Sequence, residues 1–189
     1  MVHSAVISKC GKYRYQLYRE WHYRKPRAMF LMLNPSTACE HNNDLTTIRC
    51  INFAKKWGFG SICIGNLYPF RAKRPKNLKK WLNSDEFSLD IKVRNGMHVR
   101  KMMNQSSIIV CAWGNHQGQP PFWVQEFGGN KLCYLELCKD GTPKHPLGNL
   151  SKDLLPIKYN LASIAQLVER LTSNQEVVSS SLTTRSIQT

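Results

Sequence analysis

Met29-Phe30-Leu31-Met32-Leu33-Asn34-Pro35-Ser36-Thr37-Ala38 is the stretch around which the chain is organised. Five apolar residues, Met29 to Leu33, run without polar interruption and stop at Asn34-Pro35. A short apolar run bounded by turn residues is the pattern of a strand buried on both faces, and such strands belong mostly to parallel sheets under helices. In those sheets the ligand crevice lies beyond the carboxyl ends of the strands, which predicts Asn34 on the floor of a site. A simple strand-ending turn is the other reading, because Asn and Pro are both frequent in turns.

Three further segments repeat the pattern. Residues 61–67 also end in an asparagine region, at Asn66; residues 107–113 end in Gly114-Asn115-His116; residues 131–137 run into a loop that carries Lys144-His145-Pro146-Leu147. Asn42-Asn43-Asp44 offers caps for a helix over 45–57, closed by Gly58, with Leu45, Ile48, Ile51 or Asn52, and Lys55 at helical spacing. Residues 85–104 predict a second helix with Phe87, Ile91 or Leu89, Val93, Met97 and Met102 turned inward, and Pro121 opens a short third one. Aromatic and β-branched residues over 3–24, around Lys9-Cys10-Gly11-Lys12, predict a hairpin packed beside the main sheet. Its Tyr and Arg side chains are expected on a solvated face, contact with nucleic acid being the alternative. The sum is an α/β protein: a three-layer α/β/α sandwich around a mainly parallel four-stranded sheet, with an N-terminal β-hairpin and all four carboxyl-end loops on one edge.

A chain of 189 residues with 42% apolar content suits one ordinary domain. Its formal net charge is +15, and all of the excess lies in residues 1–160. Such a domain is expected to meet a polyanion, most commonly nucleic acid. Arg71, Lys73, Arg74, Lys76, Lys79 and Lys80 fall within ten residues that hold no acid, making candidate phosphate contacts on the rim of the site; a merely solvated face is the alternative. No apolar run approaches the ~18 residues of a membrane span, so no membrane partner is expected. Seven cysteines, an odd number without a CxxC pair, predict a reducing cytoplasm, no disulfide framework and no metal site. Neither a glycine-rich phosphate loop nor a set of metal-binding carboxylates is visible, so no cofactor is expected, and nothing points to an obligate protein partner.

The domain is expected to cover residues 1–158. In the tail, residues 159–189, Leu161, Ile164, Leu167, Val168 and Leu171 fit a short amphipathic helix, and residues 173–189 are rich in Ser, Thr and Gln and expected to be loose. Residues 163–170, SIAQLVER, resemble what translation through a transfer-RNA gene yields, as at the junctions where mobile elements integrate.

Leu33-Asn34-Pro35-Ser36 resembles the first motif of the uracil-DNA glycosylase superfamily, in the mismatch-specific branch that has Asn-Pro instead of an aspartate form. His145-Pro146 resembles that superfamily's second motif, and Asn66 its base-reading asparagine. From Leu33 through Asp44, Thr46, Thr47 and Arg49 the chain is also similar to a family of bacterial and phage domains with an LNPSTA signature, a likeness that covers residues 10–158. Leu33 stands where the glycosylases have a small residue, and Leu147-Gly148-Asn149-Leu150 lacks their Ser-Pro, which puts the strand-wedging device in question.

The resemblance implies a monofunctional DNA glycosylase that flips a base out of the stack and hydrolyses its N-glycosidic bond, leaving an abasic site. His145 would donate to the base oxygen, and Asn34 would hold the attacking water through its amide oxygen. Asp44 is a fallback general base, or else a helix cap. Asn66 would read the base edge beside Ser36. Tyr68 or Phe70 would stack on the base, with ordinary packing as the alternative. Arg71, Lys73, Arg74, Lys76 and Lys144 would bind the DNA backbone. The expected target is a modified cytosine, such as glucosylated hydroxymethylcytosine in phage DNA, excised in anti-phage defence. Uracil or mismatch repair and a non-catalytic nucleic-acid-binding module are the alternatives.

Overall fold

The apolar run at 29–33 forms the central strand of the sheet. In the computed structural model, residues 1–36, 38–72, 74–115 and 119–160 are described. The elements follow in the order β1 (Val2–Ile7), β2 (Arg14–Glu20), β3 (Arg27–Met32), α1 (Leu45–Lys56), β4 (Ser61–Asn66), α2 (Pro75–Leu82), α3 (Leu89–Asn104), β5 (Ile108–Cys111), α4 (Phe122–Gly128), β6 (Leu132–Tyr134) and β7 (Ile157–Lys158). The chain divides into two units, Met1–Lys158 and Tyr159–Thr189. The amphipathic helix and the transfer-RNA-like stretch expected in the tail lie outside the described residues.

The expected four-stranded, mainly parallel sheet with a separate hairpin needs correction. Among the described residues the strands make one mixed seven-stranded sheet in the order β1-β2-β4-β3-β5-β6-β7. The pairings β4-β3, β3-β5 and β5-β6 are parallel; β1-β2, β2-β4 and β6-β7 are antiparallel. The hairpin therefore extends the sheet, because β2 offers a free row of backbone groups that pairs with β4 from Leu17↔Ile64 to Glu20↔Ser61. A two-residue β7 closes the other edge and is too short to leave a periodic signal in the sequence.

From β3 the chain steps sideways to β4, then returns past β3 to β5. Right-handed connections running in opposite directions put their helices on opposite faces of the sheet. One face, carrying Ala28, Phe30, Ile62, Ile64 and Val110, packs against Cys50, Phe53 and Ala54 of α1. On the other, Gly65 leaves the space that Met29 and Met102 fill beside Val99. Burial of side chains such as Phe30 and Leu31 stabilises by about 1.5–3 kcal/mol each. The reversal of strand order falls between β3 and β5, so the crevice opens beyond those two strands.

Two helical phases differ from expectation. In α1 the inward residues are Thr47, Cys50, Ile51, Phe53 and Ala54, while Leu45 and Ile48 are exposed, because Phe53 and Ala54 claim the sheet. In α3 Val93 and Met97 are 54% and 70% exposed; Met102 is buried as expected, and Asn95, Val99 and Met103 are buried with it. The expected solvated face of β2 is also wrong. Arg14 and Arg19 are buried, and their guanidinium groups donate to carbonyls of the 38–42 loop: Arg14 Nη1 to Ala38 O at 2.9 Å, Arg19 Nη2 to Cys39 O at 2.5 Å. Burial pulls the Arg14 pKa down to about 10. These two charges anchor the loop between β3 and α1 and are withdrawn from any polyanion.

Candidate active site at the carboxyl edge of the sheet

The loops after β3 and β4 zip together beyond the sheet. Leu67 N donates to Met32 O at 2.8 Å, Tyr68 N to Leu33 O at 2.9 Å and Ala72 N to Pro35 O at 3.0 Å. Asn34 is held in this seam. Its Nδ2 donates to the carbonyls of Ala72 (2.9 Å), Pro35 (3.1 Å) and Phe70 (3.4 Å). The donor end is thus spent on backbone, and the acceptor, Oδ1, is the polar atom left for the cleft.

His145 arrives from the loop after β6, which is tightly built. Cys138 N donates to Thr142 O at 2.8 Å, Lys144 N to Glu136 O at 2.9 Å and Gly148 N to His145 O at 2.7 Å. Gly114, after β5, has φ +74° and donates its N–H to Pro143 O at 2.9 Å. A side chain there would be strained by the positive φ, although its Cβ would only touch that of His145 at 3.5 Å, so it is the backbone turn that calls for glycine where the two loops meet. The Leu147 N–H donates to His145 Nδ1 at 3.2 Å, which makes Nδ1 the acceptor of the ring and leaves the proton on Nε2. Burial lowers the His145 pKa, with the negative charge of Asp44 opposing, so the ring is neutral at physiological pH.

Asn34 and His145 line the same cleft, of about 590 Å³, at the point where the strand order reverses. Met32, Leu33, Ala72 and Pro75 form one wall; Trp113, Gly114 and Asn115 another; Cys138, Lys144, Gly148 and Asn149 complete it. All four carboxyl-end loops of β3, β4, β5 and β6 contribute. Trp113 and Asn115 were legible by the same strand-end rule that singled out Asn34, but carried no motif.

The other candidates are distributed differently. Asn66 is buried, its Oδ1 accepting from Arg14 Nη2 at 3.4 Å, and it is not part of the cleft wall. Phe70 stacks on Trp81 with centroids 4.9 Å apart and planes 2° from parallel, inside an aromatic cluster with Tyr13; packing is its role here. Tyr68 packs edge-on against Phe87 and lines the grooves beside the cleft. Ser36 is half-buried outside the cleft wall. Asp44 caps α1, accepting from both N and Oγ1 of Thr47 at 2.8 Å. Arg71 turns to the hairpin, donating to Gly11 O at 3.2 Å, and Lys144 is ion-paired with Glu136. Arg74 and Lys76 are exposed at the start of α2, and Lys73 lies outside the described residues.

Among the described residues no three His, Cys, Asp or Glu side chains are grouped to hold a metal ion, and no helix is long and apolar enough to cross a membrane. Fold and cleft together define an α/β protein whose switch-point crevice holds the amide of Asn34 and the neutral imidazole of His145. The family model described as "Protein of unknown function (DUF1643)" matches residues 14–147, and the chain belongs to that family. No curated protein and no solved structure matches it.

Proposed function

We propose that the protein is a monofunctional DNA glycosylase that excises a flipped-out, modified cytosine in the cytoplasm and leaves an abasic site. The observation that carries the proposal is the meeting of Asn34 and His145, more than a hundred residues apart in sequence, in one cleft of a strongly basic chain. As the C1′–N bond breaks, its electron pair moves onto the base and positive charge grows on the sugar. The Nε2–H of neutral His145 donates to the base oxygen and steadies the departing anion. Water held by Asn34 Oδ1 adds to C1′, and the proton it releases passes through solvent to the base. An amide is a feeble base, so it serves to position the water rather than to deprotonate it.

Cleft size favours a substituted base over a bare one, since about 590 Å³ lies within the ~300–1,000 Å³ of sites that enclose drug-sized ligands. The odd number of cysteines and the lack of a CxxC pair support the reading of a reducing compartment. DNA from phages with glucosylated hydroxymethylcytosine is the expected substrate, which would make the activity a defence. Purified protein should open abasic sites in such DNA and far fewer in unmodified DNA. Preference for uracil or mismatched duplexes would redirect the reading to repair; binding without base release from any of these would overturn it.

Asp44 is the cap of α1 and not the base. Asp44→Ala should cost about 0.5–2 kcal/mol of stability, whereas Asp44→Asn, which keeps a good cap, should hold both the melting temperature and base release near native values. Base release abolished in a stable Asp44→Asn variant would give the carboxylate a catalytic part.

A further inference from the structure

We propose that the groove between α3, α4 and the loop after β4 is a second nucleobase site, taking an unstacked base from the same strand as the base in the cleft; this rests on the nucleic-acid reading above. The groove measures about 490 Å³ and has aromatic walls in Tyr68, Phe87, Trp123 and Phe127. Val93 and Met97 of α3, exposed where helical spacing would turn them inward, form its apolar side. Stacking surfaces of this kind accept any base.

Two features go beyond an apolar surface. Asn95 lines the groove and is 97% buried by its 3% exposure; its Nδ2 donates to Asn66 O at 2.9 Å and Leu67 O at 3.1 Å, while its Oδ1 has no hydrogen-bond partner among the described residues. A buried acceptor without a partner is costly; this one is closed off from solvent, and an exocyclic amino group would satisfy it once the groove lining shifts to admit it. Cations stand at the rim: Lys92 Nζ lies 4.2 Å from the Phe87 ring centroid and the Arg100 guanidinium 4.4 Å from that of Phe127. No acidic side chain lines the groove, so the partner it fits is an aminated aromatic ring carried on a phosphate chain.

The groove is also connected to the cleft. A smaller depression shares Leu33 and Pro75 with the cleft and Tyr68 with the groove, and it carries Lys76 and Lys79 between them. A single strand with one base in the cleft would pass these lysines before a further base reaches the aromatic walls.

The test is fluorescence anisotropy with heptanucleotides of dA, dC and dT on the full chain, native and Met97→Glu. Met97 is exposed, so the variant should keep its melting temperature while putting a negative charge in the groove. Native protein should bind the dA and dC oligonucleotides more tightly than dT, which lacks the amino group. Met97→Glu should weaken dA and dC binding about five- to a hundredfold, the range of one lost stacking partner, and level the three. Equal binding of all three by the native protein, or affinities unchanged by the variant, overturns the site. A changed sedimentation coefficient with unaltered oligonucleotide binding would do the same and make the groove a contact between copies. These outcomes are independent of base release: amine-selective binding without excision upholds the groove and sinks the glycosylase, and excision without it does the reverse.

Discussion

His145→Ala is expected to slow base release about 10²–10³-fold, corresponding to the ~2.7–4 kcal/mol that one preorganised donor contributes at developing negative charge. The loss should fall on kcat rather than KM, because the donor matters most when the base carries charge. The protonation state sharpens the prediction. Neutral His145 accepts from the Leu147 N–H through Nδ1 and so presents Nε2–H in a fixed direction. Protonation of Nδ1 breaks that contact and frees the ring. Burial lowers the folded-state pKa below that of the unfolded chain, so the stabilisation is complete above the unfolded value and is lost as pH falls through the folded one. Base release and melting temperature should both decline on the acid side of the ordinary imidazole range. In His145→Ala the melting temperature should depend less on pH there. Some dependence remains from His98, also lowered by burial and by Lys101 and Arg94. Native rates in the variant would remove the imidazole from the mechanism.

The central strands and the cleft could be read from the sequence because both depend on short-range patterns. An apolar run that ends in a polar turn is unambiguous at residues 29–34, and the strand-end rule needs only the topology around it. What could not be read depends on contacts between distant segments. Arg14 falls on the polar side of the alternation at 13–18 and Arg19 just beyond it, yet carbonyls of a loop some twenty residues on draw both inside. Val93 and Met97 fit an inward helical stripe, but Asn95 takes the buried phase by bonding two carbonyls at the end of β4. Asn66 ends a strand as Asn34 does. It goes under because Arg14 lies against it, whereas the bonds of Asn34 run sideways to the neighbouring loop and keep it in the cleft wall.

Replacing Asn34 separates two explanations of why an amide stands where a carboxylate would be the stronger base. Three carbonyl oxygens, of Pro35, Phe70 and Ala72, surround Nδ2. They reward a donor and repel an anion. In Asn34→Asp a carboxylate oxygen would face them, and the hydrogen bonds available to a protonated carboxyl would favour the neutral acid, raising its pKa. The variant should therefore lose stability, by about 1–3 kcal/mol for acceptors left facing acceptors, and should gain no base at neutral pH. Asn34→Ala removes the water-holding oxygen and the seam between the two loops together. Its base release should fall about 10²-fold, the usual consequence of losing the position of a reacting group. Melting temperatures would show whether the seam has opened, and the Asn34→Asp rate at neutral pH decides the question. A rate above native in a protein of unchanged stability would mean that the carbonyls do not select the amide, and that a carboxylate can take the place of Asn34 as a base.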